Sequence, residues 1–248
     1  MVSDSSESNA ELPPPPPPPS ELIAPRQPAR SISGLTTAIS ILVPVTALLG
    51  LIFAMLNEFA VPEARAFLAG TITETEFVDA YGPGLTLQLV QSLAQLAAGL
   101  SVVGWMFRVA TNHGNLGRTG RWRAPWAIGG WFVPPLIVYL IPFLMFRELW
   151  RASDDGDADW RRTRVTPLIS VWFVTFGLLP TVLAFRQWSN GRSVLSSGAV
   201  AVAEQAISQR STIWISALLS VASAVVFVMI VRQLAARHAA LMSRYGMA

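Results

Sequence analysis

The sequence predicts an all-α integral membrane protein with four transmembrane helices plus a proline-broken segment that re-enters or lies at the interface. Three observations carry this. Of 248 residues, 52% are hydrophobic and only 13% charged, where a soluble domain averages about 25% charged, and the mean hydropathy is +0.46. Five stretches of 21 residues or more carry no charge: 31–57, 80–107, 124–146, 165–185 and 211–231. About 20 apolar residues cross a hydrocarbon core of roughly 30 Å, so each is long enough to span. The third stretch alone is interrupted at its centre, by Gly129-Gly130 and Pro134-Pro135, with Pro142 beyond.

Composition removes several kinds of chemistry. There are no cysteines, which excludes a disulfide framework, thiolate metal sites and a cysteine nucleophile. His113 and His238 are the only imidazoles. All 18 basic residues are arginine, a compositional bias before it is chemistry, and the net charge is only +3. A balance this small gives no reason to expect nucleic acid. No serine–histidine pair, buried carboxylate pair or metal cluster stands out, so neither an enzyme nor a cofactor is expected.

Residues 1–34 form a low-complexity tail with an unbroken proline run at 13–19. Such a run is an extended polyproline II rod with nothing to bury. It reads as a disordered linker or as a docking segment for a protein partner with an aromatic groove. The helical membrane domain then occupies 35–235, and 236–248 is a short C-terminal tail that reads as a helical end on the membrane surface.

The first helix is expected to close at Asn57, before Glu58, with a loop to Gly84 that carries Glu63, Glu74, Glu76 and Asp79. Thr73 with Glu76 three residues on is a capping-box pattern, so a short helix starts there and stops at Gly82-Pro83-Gly84. In the second span, Gln88, Gln91, Ser92 and Gln95 fall on one face. In lipid such a face turns inward, as hydrogen-bonding glue between helices or as the lining of a polar pathway. The fifth window carries Thr212, Ser216, Ser220 and Ser223 on one face, which suits close helix packing. The piece 194–208 is expected at the interface or as an extension of the last span. Trp126, Trp131, Trp150, Trp172, Trp188 and Trp214 sit near window ends, as interfacial anchors do.

The third window has the length of a span but not the content. Proline lacks a backbone donor and clashes with the preceding turn. Its broken arms, 126–133 and 136–150, reach roughly 12 Å and 22 Å at about 1.5 Å per residue. The arginines supply an independent test through the positive-inside rule. Five spans with a cytoplasmic N-terminus divide them nine to nine. Four spans with a returning third segment place 14 inside and 4 outside. Four spans are preferred, with five as the alternative, and the location is the cytoplasmic membrane with the N-terminus inside.

Arg118, Arg121 and Arg123 beside Trp122 and Trp126 suit anionic lipid headgroups, at roughly 1 kcal/mol per basic residue near the surface. Arg108, Arg147, Glu148 and Arg151 complete this candidate lipid or partner surface. Glu148 and Arg151, at i, i+3, are placed to pair. Asp155, Asp157 and Asp159 imitate the start of a calcium loop, but Trp160 stands where glycine is required and Thr166 where the bidentate glutamate belongs. With Arg161, Arg162 and Arg164 next in line, this stretch reads as a self-neutralising linker.

The central residues resemble the bacterial membrane proteins that carry the DUF4328 domain, common in actinobacteria. The resemblance rests on Trp105, Arg108, Asn112, Leu116-Gly117, Trp131-Phe132-Val133-Pro134, Pro142 and Arg147-Glu148-Leu149-Trp150-Arg151-Ala152-Ser153. It spans roughly residues 35–235 and is strongest over 105–153. It implies a multi-pass membrane protein and nothing catalytic. The function expected is a non-enzymatic module that binds a partner or anionic lipid at its cytoplasmic arginine–tryptophan face. The alternative is a small transport or channel component that uses the glutamine stripe and the re-entrant segment.

Overall fold

A computed structural model describes residues 28–132, 139–154, 156, 159–189 and 198–247. The proline run at 13–19, Pro134-Pro135, and Asp155 and Asp157 of the calcium-like stretch lie outside the described residues. Everything regular among the described residues is helical. Four helical segments are long and apolar enough to cross a membrane: Ser33–Leu68, Glu74–Asn115, Pro167–Phe185 and Arg210–Arg244. Their outer faces are leucine, isoleucine, valine and phenylalanine, with Ile41, Phe59, Leu93 and Leu218 each more than half exposed. That is the inside-out pattern a lipid solvent permits.

Helix α1 (Ser33–Leu68) does not close at Asn57. It runs on because Asn57, Ala60, Val61 and Ala64 are buried at i, i+3, i+4, i+7, one continuous face. The charges that end the apolar window lie on the other sides. Helix α2 (Glu74–Asn115) opens with the expected capping box: Thr73 Oγ1 accepts from Glu76 N, and Glu76 Oε2 accepts from Thr73 N at 2.7 Å. It then passes straight through Gly82-Pro83-Gly84. Packing overrides the local breakers: Phe77 is buried and stacked on Phe67 of α1 at 5.1 Å, and Gly84 is buried near Phe53. The expected loop therefore shrinks to residues 69–73.

The third window forms α3 (Trp126–Gly129) and α4 (Leu140–Ala152), helices of 4 and 13 residues. At about 1.5 Å per residue the longer reaches roughly 20 Å, short of a span. Its two ends lie on the same side of the bundle, because the residues flanking it bond to one another. Arg118 donates to the carbonyls of Ala152, Asp154 and Gly156, His113 bonds Ser153 at 3.1 Å, and Arg237 pairs with Asp154 at 2.8 Å. A five-span chain would put 153–154 at the opposite end from 113–118 and 237.

After a single 3₁₀ turn, Trp160–Arg162, comes a rod of α5 (Pro167–Trp172), a π-turn (Phe173–Leu178) and α6 (Leu179–Ser189). Pro167 at the first position and Thr166 as cap start it in the ordinary way. Pro180 cannot donate to the Phe176 carbonyl, and the wider turn directly before it takes up the crowding. Helix α7 (Ala199–Ser208) is a separate short helix, docked through buried Ala203 and Ala206 on Ala64 and Phe77. Helix α8 (Arg210–Arg244) is unbroken through residue 244, so the C-terminal end is helical and continuous with the last span. Leu234, His238, Leu241 and Met242 are buried at i, i+4, i+7, i+8 and hold it against the bundle.

The core is aromatic. Trp105 of α2, Phe146 of α4, Trp172 of α5 and Phe227 of α8 meet at centroid distances of 5.2–6.2 Å. Trp105 is wholly buried, and its indole donates to Thr36 of α1 at 2.9 Å. Five elements are thus tied together, and α4, too short to span, is held from inside.

Candidate functional site

The site grows from the end of α2. Leu116 closes the helix, Gly117 follows at φ +70°, Gly117 N donates to Gly114 O at 3.0 Å, and Arg118 N donates to His113 O at 2.9 Å. This is a Schellman stop, and it needs a residue at ease in the left-handed region. It turns the chain so that Arg118 lies over the C-terminus of α4. Its guanidinium serves three carbonyls there, Ala152 O of the last helical turn, which a helix C-terminus leaves without a partner, and Asp154 O and Gly156 O just beyond it. Arg118 is 9% exposed. It staples the fold and is not a free cation.

Asp154 is the other half of the staple. Its carbonyl accepts from Arg118, Oδ1 from Arg237 and Oδ2 from Thr163 at 2.7 Å. Arg237 also lies 4.8 Å above the Trp150 ring. Beneath them is a buried polar chain. Asn112 Oδ1 accepts from Arg30 N at 2.8 Å, and its Nδ2 donates to Arg30 O at 2.9 Å. That pair fixes the amide orientation, so the same Nδ2 donates to His238 Nε2 at 3.0 Å. The proton of His238 then sits on Nδ1 and faces His113 Nε2 at 3.3 Å. Ser153 Oγ meets the same nitrogen. This assigns the His113 proton to Nδ1, a buried atom with no protein partner among the described residues.

Two shallow pockets open beside this network, on either side of a wall made by Gly120, Trp122 and Glu148. The first, about 300 Å³, is lined by Arg121, Arg147, Arg151 and Arg161, with Leu144 and Trp160. The second, about 280 Å³, includes His113, Arg118, Thr119 and Arg123. Glu148 does not pair with Arg151 as expected. Its two oxygens accept from the backbone N–H groups of Trp122 and Arg121 at 3.0 and 2.9 Å. Gly120 makes room for it, since a Cβ there would stand 2.2 Å from Glu148 Cδ. Among the described residues Glu148 is the only carboxylate of the first pocket, which presents four guanidiniums, none of them ion-paired there. Arg151 Nε is buried without a partner among the described residues. Arg121 and Arg161 lie over the Trp122 and Trp160 rings at 5.7 and 5.1 Å, and Arg147 over Phe143 at 5.5 Å.

Of the expected surface, the structure gathers Arg121, Trp122, Arg147, Glu148 and Arg151 in the first pocket and Arg123 in the second. Trp126 is 42% exposed and packs edge-on to Trp122 at 5.3 Å. Arg108 is exposed and bonded to Ser31 O at 2.8 Å, outside both pockets. Trp160 and Arg161 were expected only as linker; the linker reading fits Arg162, which pairs with Asp159, but not them. Sequence reasoning also missed the contacts of His113 and His238. Among the described residues no cluster of three potential metal ligands occurs. The glutamine stripe does not turn into the bundle of a single chain: Gln88, Ser92 and Gln95 are exposed on α2, and Gln91 alone leans on α1 beside Gly50.

The model of a domain of unknown function, DUF4328, matches residues 72–236, and the chain belongs to that family. The match begins at the cap of α2 and ends two residues before His238, so α1 lies outside it, a shorter extent than the expected 35–235. Comparison with curated proteins and with solved structures finds no match.

Proposed function

We propose that this DUF4328 protein is a non-enzymatic membrane module that binds the phosphate of an anionic lipid headgroup in the arginine pocket at its basic end. The observation that carries the reading is the set of four guanidiniums, Arg121, Arg147, Arg151 and Arg161, around a cavity whose one carboxylate among the described residues, Glu148, is engaged by backbone N–H groups. Guanidiniums beside indole rings at a membrane edge favour an anion in a partly desolvated place. The positive-inside rule supports a cytoplasmic basic end and N-terminus in the cell membrane. The proline run at 13–19 adds a candidate contact for a protein partner. A transport role gains no support from a glutamine stripe on the outer face of α2.

The test is binding of the purified chain, in neutral nanodiscs, to short-chain phosphatidylglycerol and phosphatidylcholine. The anionic lipid binds preferentially, and Arg147→Gln with Arg151→Gln weakens it about thirtyfold, at roughly 1 kcal/mol per basic residue. Arg108→Gln, outside the pocket, leaves it unchanged. Equal binding of the two lipids, or a double variant that binds like the parent, removes the reading. Orientation is tested by cysteine labelling of intact cells. Ser243→Cys reacts only after lysis and Thr75→Cys reacts from outside; the reverse pattern places the basic end in the other compartment.

A further inference from the structure

The spacing of the outward residues of α2 has a period of its own. Leu85, Gln88, Ser92, Gln95 and Gly99 are all exposed, and they alternate at intervals of three and four, the seam of a helix that packs along another helix. The seam covers about 21 Å at 1.5 Å per residue. It lies at the middle of the charge-free stretch 80–107, at the depth of the hydrocarbon. Amides facing hydrocarbon without partners are costly. Neither the Gln88 nor the Gln95 side chain has a hydrogen-bond partner among the described residues, whereas Ser92 Oγ is satisfied by its own helix at 2.8 Å. The seam ends at Gly99, where a Cβ would meet nothing within 4 Å, so another backbone can approach there. Leucines flank it, Leu89 and Leu96 being 63% and 61% exposed.

We infer that a second copy of this chain covers the seam, with α2 packed in parallel on α2. The occupant follows from the chemistry. A glutamine amide is both donor and acceptor, hence complementary to itself. Copies inserted in one membrane share one orientation, so a two-fold axis along the membrane normal sets Gln88 against Gln88 and Gln95 against Gln95. A heptad seam matches a helix rather than a headgroup or a small solute. The inference is independent of the arginine pocket, which is at the end of α2 and α4.

The absence of cysteine makes the test direct. Ser92→Cys on the seam and Leu218→Cys on the lipid face of α8 are each introduced into the full chain and oxidised in native membranes. The Ser92→Cys chain forms a disulfide-linked pair of twice the chain mass; the Leu218→Cys chain does not. Adding Gln88→Leu and Gln95→Leu to Ser92→Cys lowers the linked fraction about tenfold, with helical content unchanged because both side chains are exposed. Mass measurement of the cysteine-free chain in nanodiscs gives a dimer. A monomer there, linkage no better at residue 92 than at 218, linkage indifferent to the leucines, or linkage to a different protein overturns the inference.

Discussion

The two ends of the bundle each bury an asparagine, and they treat it in opposite ways. At the basic end Asn112 is fully buried and uses both amide atoms: it closes a pair with the Arg30 backbone and supports His238. At the other end Asn57 is 2% exposed, reaches Ala206 O at only 3.4 Å, and its Oδ1 has no partner among the described residues. The surroundings differ likewise. Asn112 sits where the chain before α1, the end of α2, the end of α4 and the end of α8 converge through polar side chains. Asn57 sits where α7 rests on α1 through alanines. A broken, non-spanning segment returns its backbone to one end only, and that end spends polar groups to hold it; the other joins continuous helices and needs only close packing.

The largest expected effect breaks this contrast at its centre. Asn112→Ala leaves His238 Nε2 unsatisfied in a dry site and takes the partner from the part-buried Arg30 N–H and carbonyl. Each unsatisfied buried group costs about 1–3 kcal/mol, so the loss is roughly 3 kcal/mol or more. Asn57→Ala removes one long bond and one orphaned carbonyl together, and stays within about 1 kcal/mol of the parent. Unfolding of the two variants in one detergent decides it: equal losses would mean that the two ends are held alike.

A smaller effect sharpens the contrast inside the basic end. Gly120→Ala drives a methyl into Glu148, which must release the N–H groups of Arg121 and Trp122. Loss of two charge-assisted bonds, partly replaced by water at this half-exposed site, costs about 1–2 kcal/mol. The freed carboxylate then neutralises the arginine pocket, so anionic lipid binding falls further than stability does. Gly34→Ala, with open space around it and away from the α2 seam, leaves the melting curve in place. If Gly120→Ala melts like the parent and binds lipid equally well, Glu148 is not held as the structure has it.

The sequence made the spans legible because lipid demands long charge-free stretches, and the broken third window because Pro134-Pro135 and the arginine balance pointed the same way. Helix ends were not legible. Hydropathy stops at Asn57 and Val231, where water begins, but the helices continue as long as one face is covered, by Ala64 and Val61 in α1 and by His238 and Leu241 in α8. Half of the arginine site could be read from Arg121, Trp122, Arg147 and Arg151. Trp160 and Arg161 could not, because what makes them part of a pocket lies across space on α4. The same holds for His113, Ser153 and His238, which no local pattern joins. For the glutamine stripe, periodicity showed that the residues share a face and was silent on which way that face points.

The smallest effect lies at the end away from the arginine pocket, where Glu58 takes Arg210 in a two-pronged pair and the Trp214 indole at 3.3 Å. This joins α1 to the start of α8 and looks like a counterpart of the Arg237–Asp154 pair. The settings differ. Asp154 is surrounded by Arg118, Thr163 and Arg237, while Glu58 and Arg210 stand toward water with side chains 33% and 50% exposed. Exposed pairs contribute little and are screened by salt. Glu58→Gln is therefore expected to shift unfolding only at low ionic strength, with the shift gone at physiological salt. Asp154→Asn is expected to keep more of its penalty at both, because the half-buried carboxylate accepts from Thr163 as well as Arg237 and is one member of a network rather than one half of a pair. Melting curves of the two variants at both ionic strengths separate a fastening made by solvent-facing charge from one made by a closed network. A salt-independent loss at Glu58 would mean that α7 and the head of α8 shield that pair, and the division between a polar end and an apolar end would have to be redrawn.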